Sequence, residues 1–290
     1  MNYWDASTLP HGLSQAADLS FSLDPLEWDS RQAGDEATNP FPSIVDSNIN
    51  AVFFHRNRLG FLTGENIVFS EAGEYGNFFR TTVRTLLDAD PIDVAVSQAE
   101  VADLQAAIPF QEDLILFSEL NQFTLSSDTL LTALDITVTL SASYRNNLTA
   151  KPALAGDSLF FSETNGEYSG IRDYRVSGDA KLVTAPSVTD HVPEYAKGKV
   201  IQMAATANED ILLVRTDKDL KTVYIYNWYD QGGERLQSAW SKWTFDEEVV
   251  NVYINNTGVY LTFASGSLEL MELTNPEATR FIQDAFSREP

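Results

Sequence analysis

Short runs rich in β-branched and aromatic residues follow one another from residue 51 onward, with turn signals between them. The clearest are Ala51–His55, Leu59–Leu62, Ile67–Ser70, Leu114–Ser118, Gln122–Leu125, Leu159–Ser162, Ile211–Arg215, Val223–Tyr229, Val249–Ile254, Val259–Phe263 and Leu268–Leu273. Thr63-Gly64-Glu65-Asn66, Asn165-Gly166, Gly232-Gly233, Asn256-Thr257-Gly258 and Ser265-Gly266 punctuate them. That pattern predicts strands joined in hairpins. Helical periodicity is scarce: it predicts one helix over Phe78–Asp88 and a short turn of helix over Asp284–Ser287.

The strands also recur. Leu59-Gly-Phe-Leu-Thr, Leu114-Ile-Leu-Phe-Ser, Leu159-Phe-Phe-Ser-Glu, Leu212-Leu-Val-Arg-Thr and Tyr260-Leu-Thr-Phe-Ala stand 55, 45, 53 and 48 residues apart. Each is an apolar run that ends in a turn and leads to another strand. A period of ~40–50 residues built from several antiparallel strands is the signature of a β-propeller blade. Residues 202–245 fill one unit, with strands at Gln202–Thr206, Ile211–Arg215, Val223–Tyr229 and Ala239–Phe245. The expectation is an all-β chain, an irregular β-propeller of about five four-stranded blades. A β-sandwich is the alternative, because it also strings short strands together, at ~8–12-residue spacing without a longer period. The long apolar runs favour the propeller if its inner strands are buried on both faces.

Residues 1–50 differ. Pro10, Pro25, Pro40 and Pro42 and polar stretches break the pattern, and alternation survives only across Leu19–Leu23. We read an extended segment at 1–50 packed on a propeller-like domain at 51–275, with a tail at 276–290. The start, Met1-Asn2-Tyr3-Trp4-Asp5, has neither the basic nor the apolar region of a signal peptide. No apolar run is long enough to span a bilayer, so no membrane anchor is expected.

Composition narrows the chemistry. The 290 residues hold no cysteine, which excludes disulfides, thiolate metal sites and cysteine nucleophiles. Lys and Arg number 19 against 42 Asp and Glu, a net charge of −23 that argues against clamping nucleic acid through its phosphates. The three histidines, His11, His55 and His191, have no metal-ligand spacing. His55 falls inside a strand and is read as a packed histidine. No nucleophile elbow, phosphate loop or dinucleotide fingerprint occurs. Asp88, Asp90 and Asp93 could ligate a hard cation or act as an acid/base pair, which leaves a propeller glycan hydrolase of the cell envelope as one alternative function and a generic propeller interaction scaffold as another. Asp90-Pro91 makes the same cluster a helix-ending turn before a strand at Ile92–Val96, the reading we take. Arg56 and Arg58 form a basic spot in a tight turn, expected to pair with Glu65, Glu71 or Glu74. Trp4-Asp5 and Trp28-Asp29 lack the Gly-His partner of true WD repeats, and Trp240, Trp243 and Phe245 are read as packing residues.

Phe53–Tyr75 (FFHRNRLGFLTGENIVFSEAGEY), Asn77–Thr82, Leu86–Ser97 and Ile108–Ser118 together resemble a known family. Ala150-Lys151-Pro152, Gly166–Tyr174, Asp190–Tyr195, Asn208-Glu209-Asp210 and Gln237–Trp243 extend the likeness, as do Leu9-Pro10-His11 and Asn39–Ser43. The family is the tail tubular protein B, or nozzle protein, of short-tailed bacteriophages. The likeness spans roughly residues 8–273, matches the middle portion of longer members, and has His55 where Tyr is expected. It implies a virion structural protein with an irregular propeller, assembled in the bacterial host cytoplasm. Family members form a sixfold ring below the adaptor (tail tubular protein A), hold the tail fibres and line the DNA channel. It implies no enzyme, no cofactor and no catalytic, cofactor-binding or metal-ligating residue. A conduit that repels phosphates avoids sticking points, which gives the acidity a mechanical reading beside simple solubility.

Overall fold

A computed structural model of the chain describes residues 8–97, 101–127, 130–177, 182–231, 234–255 and 257–273. Among the described residues there are strands but no α-helix, and so no helix that could cross a membrane. The chain divides into two compact units, Met1–Ser143 and Tyr144–Pro290.

The first unit opens with a hairpin, β1 (His11–Gln15) and β2 (Phe21–Pro25). Sheet 1 follows as a meander of β3 (Ala51–His55), β4 (Arg58–Thr63), β5 (Asn66–Phe69) and β6 (Ile92–Ala95). Sheet 2 repeats the order with β7 (Ala106–Phe110), β8 (Asp113–Phe117), β9 (Gln122–Ser126) and β10 (Thr137–Ala142). The second unit holds three more. Sheet 3 is β11 (Ala153–Ala155), β12 (Ser158–Asn165), β13 (Tyr168–Ser177) and β14 (Leu182–Thr184). Sheet 4 is β15 (Val200–Thr206), β16 (Ile211–Thr216), β17 (Thr222–Gln231) and β18 (Glu234–Thr244). Sheet 5 has three strands, β19 (Val249–Asn255), β20 (Gly258–Phe263) and β21 (Leu268–Glu272). All pairings within the sheets are antiparallel and sequential, as in propeller blades.

The five recurring motifs of the sequence occupy the same place in every blade: β4, β8, β12, β16 and β20 are each the second strand of their sheet. These second strands, rather than the first, are buried on both faces. β16 is buried at all six positions and β12 at its first five, whereas β3 alternates buried and exposed residues. Alternate side chains of one strand therefore enter two different cores. In sheet 4, Leu212, Val214, Tyr224 and Tyr226 pack against Phe160 and Ile171 of sheet 3. Their neighbours Ile211, Leu213, Val223 and Ile225 pack against Val252, Val259 and Leu261 of sheet 5. Sheet 1 does the same: Leu62, Ile67 and Phe69 meet Leu114, Leu116 and Phe123 of sheet 2. Phe61 and Val68 face the other way, into a core with Leu9, Ile44, Phe78 and Phe79, so the N-terminal segment covers that face.

The predicted helix over Phe78–Asp88 does not form. Phe78 and Phe79 are drawn side by side into that core, a geometry one helix face cannot supply. The Asn39 amide then holds the backbone of residue 80 at two points, donating to the Arg80 carbonyl at 2.9 Å and accepting from its N–H at 3.1 Å. Tertiary contacts override the local periodicity. The strand read at Leu19–Leu23 begins at Phe21, because Leu19 sits in the hairpin turn with φ 68°. Gly232-Gly233, Asn256, Trp4-Asp5 and Asp284–Ser287 lie outside the described residues.

Gly60 in β4 sits under the Phe53 ring, where a Cβ would lie 2.3 Å from a ring carbon. Phe53 is itself held edge-on against Phe69, with centroids 5.4 Å apart, and has little room to turn. Gly60→Ala is expected to lower stability by about 1–3 kcal/mol through overpacking, read as a lower thermal midpoint.

Candidate functional site

The turn between β3 and β4 places Arg56 and Asn57 at φ 46° and 60°, the left-handed pair of a type I′ hairpin. His55 pairs with Arg58 across that turn. Burial lowers the pKa of His55, which suits a neutral packed histidine. Arg58 is 1% exposed and does not form the expected carboxylate fork. Its Nη1 donates to the carbonyls of Ser70, Ala89 and Asp90 at 2.7, 3.1 and 2.8 Å, and Nη2 donates to Asp88 at 2.8 Å. Burial lowers its pKa, opposed by the charges of Glu71 and Asp90. Arg56 donates to Ser127 Oγ at 2.6 Å and to the Glu112 carbonyl at 2.8 Å, so it ties sheet 1 to sheet 2. The carboxylates it was expected to meet are engaged elsewhere: Glu65 accepts from the Ala102 N–H and Glu71 from Asn77.

Asp90 and Asp93 brace backbone, while Asp88 is exposed and is held through its carbonyl by Arg58. Asp90 is 1% exposed and accepts from the Leu87 N–H at 2.8 Å, with Arg80 Nε 3.5 Å away. Asp93 accepts from the Ser43 N–H at 2.7 Å and from Asn66 at 3.0 Å, fastening the N-terminal segment to sheet 1. His11 donates to the Leu9 carbonyl, far in sequence from the other histidines. Among the described residues no group of three His, Asp or Glu could hold a metal ion. The first unit carries an open cleft of about 1000 Å³, lined by Glu36, Ser43, Asp46, Asn50, Glu65 and Asp103 among others. Its charge is acidic, which disfavours anionic occupants.

The largest ionic arrangement escaped the sequence reading. Asp173 on β13 is 1% exposed and accepts from Arg175 Nε at 2.7 Å and Arg235 Nη1 at 2.8 Å. The same two arginines reach Asp230, at 3.0 and 2.9 Å, and Arg235 lies over the Tyr226 and Trp228 rings. The cluster bolts sheet 3 to sheet 4. Only the Asp173/Arg175 spacing within one strand hinted at it, since i and i+2 share a face. Burial pushes the Asp173 carboxyl up to about 6, with Arg175 pulling against it. Trp240 Nε1 donates to the Val188 carbonyl on one face of β18, and Trp243 joins the core on the other.

Arg235→Ala leaves the buried Asp173 carboxylate with Arg175 as its one remaining cation and is expected to cost about 1–3 kcal/mol at pH 8. Asp173 titrates near 6 in the fold against 3.8 ordinarily, so near pH 5 it holds a proton and leaves less charge uncompensated. Chemical denaturation at both pH values should show the larger deficit at pH 8. Arg56→Ala, at an exposed arginine, should lose under about 1 kcal/mol at either.

The fold is similar to that of the solved structure "YCF48 bound to D1 peptide", with TM-score 0.52 at 8% identity, covering 92% of this chain and 76% of that one. The β-propeller domain of Myceliophteria thermophila Cps50 (Swd1) aligns at TM-score 0.47 and 12% identity, covering 78% and 70%. In sequence, the tail tubular protein gp12 of Escherichia phage T7 is 37% identical over 243 residues. That stretch is 83% of this chain and 31% of the T7 protein, so the chain spans about a third of the relative's length. The family described as bacteriophage nozzle protein matches residues 1–285. The chain belongs to the bacteriophage nozzle protein family.

Proposed function

We propose that this chain is a structural part of a phage tail nozzle, contributing to the DNA-ejection conduit and to the platform that holds the fibres. The observation that carries this is the family match across residues 1–285, supported by a relative whose name places it in the tail tube. In this reading copies form a ring, sixfold as in the family, beneath the adaptor, tail tubular protein A. Tail fibres attach to its outside, and genomic DNA passes through without tight binding. Assembly takes place in the host cytoplasm and the finished protein resides in the virion tail.

The way the charged groups are used supports a role without catalysis. Asp90 and Asp93, the carboxylates that could have served a glycan hydrolase, bind backbone N–H groups and an amide. Arg58, the central cation of the basic turn, is committed to four carbonyls. A net charge of −23 supplies the repulsion that a low-friction conduit needs.

Mass spectrometry of purified tails from the phage that encodes the chain should find it in multiple copies; tails lacking it would overturn the reading. Gel-shift titration with duplex DNA should show no retarded complex at moderate salt and none at low salt, where the repulsion reaches further. A complex that tightens as salt falls would reveal a phosphate-binding surface and contradict the charge argument.

A further inference from the structure

The hairpin tip between β12 and β13 holds a reactive pair of residues. Asn165 is the chain's one asparagine followed by glycine. It pairs with Tyr168 at the end of the ladder, so Gly166 and Glu167 form a two-residue turn. Gly166 has φ 65° and Glu167 keeps a negative φ, which makes the turn type II′. The hydrogen bond of such a turn runs between its flanking residues, here Asn165 and Tyr168, and leaves the Gly166 N–H unused. Asn165, Gly166 and Glu167 are all exposed, and a Cβ placed on Gly166 would meet nothing within 4 Å.

The Asn165 side chain is held loosely. Its Nδ2 donates to Glu163 Oε1 at 3.3 Å, a long bond, while the other oxygen of Glu163 accepts from Arg172 at 2.8 Å. Gly170, opposite Glu163, leaves room for both side chains: a Cβ there would come within 2.9 Å of Glu163 and 3.0 Å of Asn165 Nδ2. The far side of the turn is anchored instead. The Gly198 N–H donates to the Glu167 carbonyl at 2.7 Å, the Ser169 N–H donates to the Ala196 carbonyl at 2.9 Å, and Tyr168 bridges to Lys197. The tip thereby ties β12 and β13 to the segment that leads into β15.

We propose that Asn165 is a self-modification site, which loses its side-chain amide through a cyclic imide and becomes aspartate or isoaspartate. Hydroxide removes the Gly166 N–H proton, and the freed nitrogen attacks Cγ of Asn165. The N–Cγ bond forms, the Cγ–Nδ2 bond breaks, and Nδ2 takes a proton from water and leaves as ammonia. Water then opens the imide at either carbonyl. Opening at Cγ restores the main chain with aspartate at 165; opening at the main-chain carbonyl gives isoaspartate, whose chain runs through Cβ and Cγ and is one carbon longer. The net reaction consumes one water and releases one ammonia, with no change of oxidation state. Glycine favours it because it has no Cβ to block the approach and bends freely. Every other asparagine precedes a residue with a side chain, or a proline without an N–H. Either product replaces the donor to Glu163 with a second carboxylate, and isoaspartate also lengthens the chain beside the anchors at 196–198. The reaction depends on the hairpin alone, so its failure leaves the nozzle reading intact.

The full-length chain is incubated at pH 6 and at pH 8 in heavy-oxygen water, digested, and its asparagine-containing peptides are sequenced by mass spectrometry. The expected result is an amide-to-acid mass change at 165 that carries one heavy oxygen. It should exceed conversion at any other asparagine several-fold and be faster at pH 8. Part of the product should accept a methyl group from protein isoaspartyl methyltransferase. Asn165→Gln, at an exposed position, should abolish both signals while leaving the thermal midpoint in place, because its larger ring closes far more slowly. In the isoaspartate form, amides at 168–169 and 196–198 should exchange faster than in the parent. An unconverted Asn165, conversion no faster than at other asparagines, a rate independent of pH, or an isoaspartyl signal that persists in Asn165→Gln would overturn the proposal. Equal amide exchange in the two forms would refute the effect on the anchored side of the turn.

Discussion

The two-sided burial of each blade's second strand is the constraint on which the rest depends. β16 has no exposed residue, and its even and odd side chains belong to separate cores. Neither core can be completed by a single sheet, so each blade needs its neighbour. Stacking is thereby built into the sequence of one strand, and substitutions there act on two interfaces together. First strands are freer: β3 buries Ala51, Phe53 and His55 but leaves Val52 and Phe54 about half exposed.

Polar side chains complete what the apolar cores begin. Arg58 donates to the carbonyls of Ser70, Asp88, Ala89 and Asp90, bracing the irregular stretch 88–90 against the end of β5. Asp93 fixes the N-terminal segment to sheet 1, and the Asp173–Arg175–Asp230–Arg235 cluster joins sheets 3 and 4. Buried unpaired backbone or charge would cost more than these pairings contribute, which is why cations so few in an acidic chain are spent on interior positions. Other carboxylates stay at the surface, as do Asp46 and Asp103 in the cleft of the first unit.

Much of the fold was legible because two-sided burial writes an unbroken apolar run. Ile211–Arg215 and Val259–Phe263 each fall one residue short of the strands they mark, β16 and β20. Edge strands were legible unevenly: Ala51–His55 marks β3, whereas β7 and β10 were missed. β7 contains Pro109, tolerated at the border of sheet 2, and β10 alternates Thr and Ser with Val138, Leu140 and Ala142, none of them fully buried. The false helix at Phe78–Asp88 failed for a different reason: Phe79, Val83 and Leu86 satisfy helical spacing locally, while Asn39 and Arg58, 20 or more residues before the segment, claim its backbone. The turn role of Asp90 was readable from Asp-Pro chemistry; the destination of Arg58 was not, since carbonyl acceptors carry no residue identity.

Amide hydrogen exchange resolved by strand tests the two-sided burial most directly. The account predicts that amides of β4, β8, β12, β16 and β20 exchange slowest in their sheets and that those of the two-stranded hairpin β1–β2 exchange orders of magnitude faster. Uniform protection across each sheet, or slowest exchange in the first strands, would contradict it.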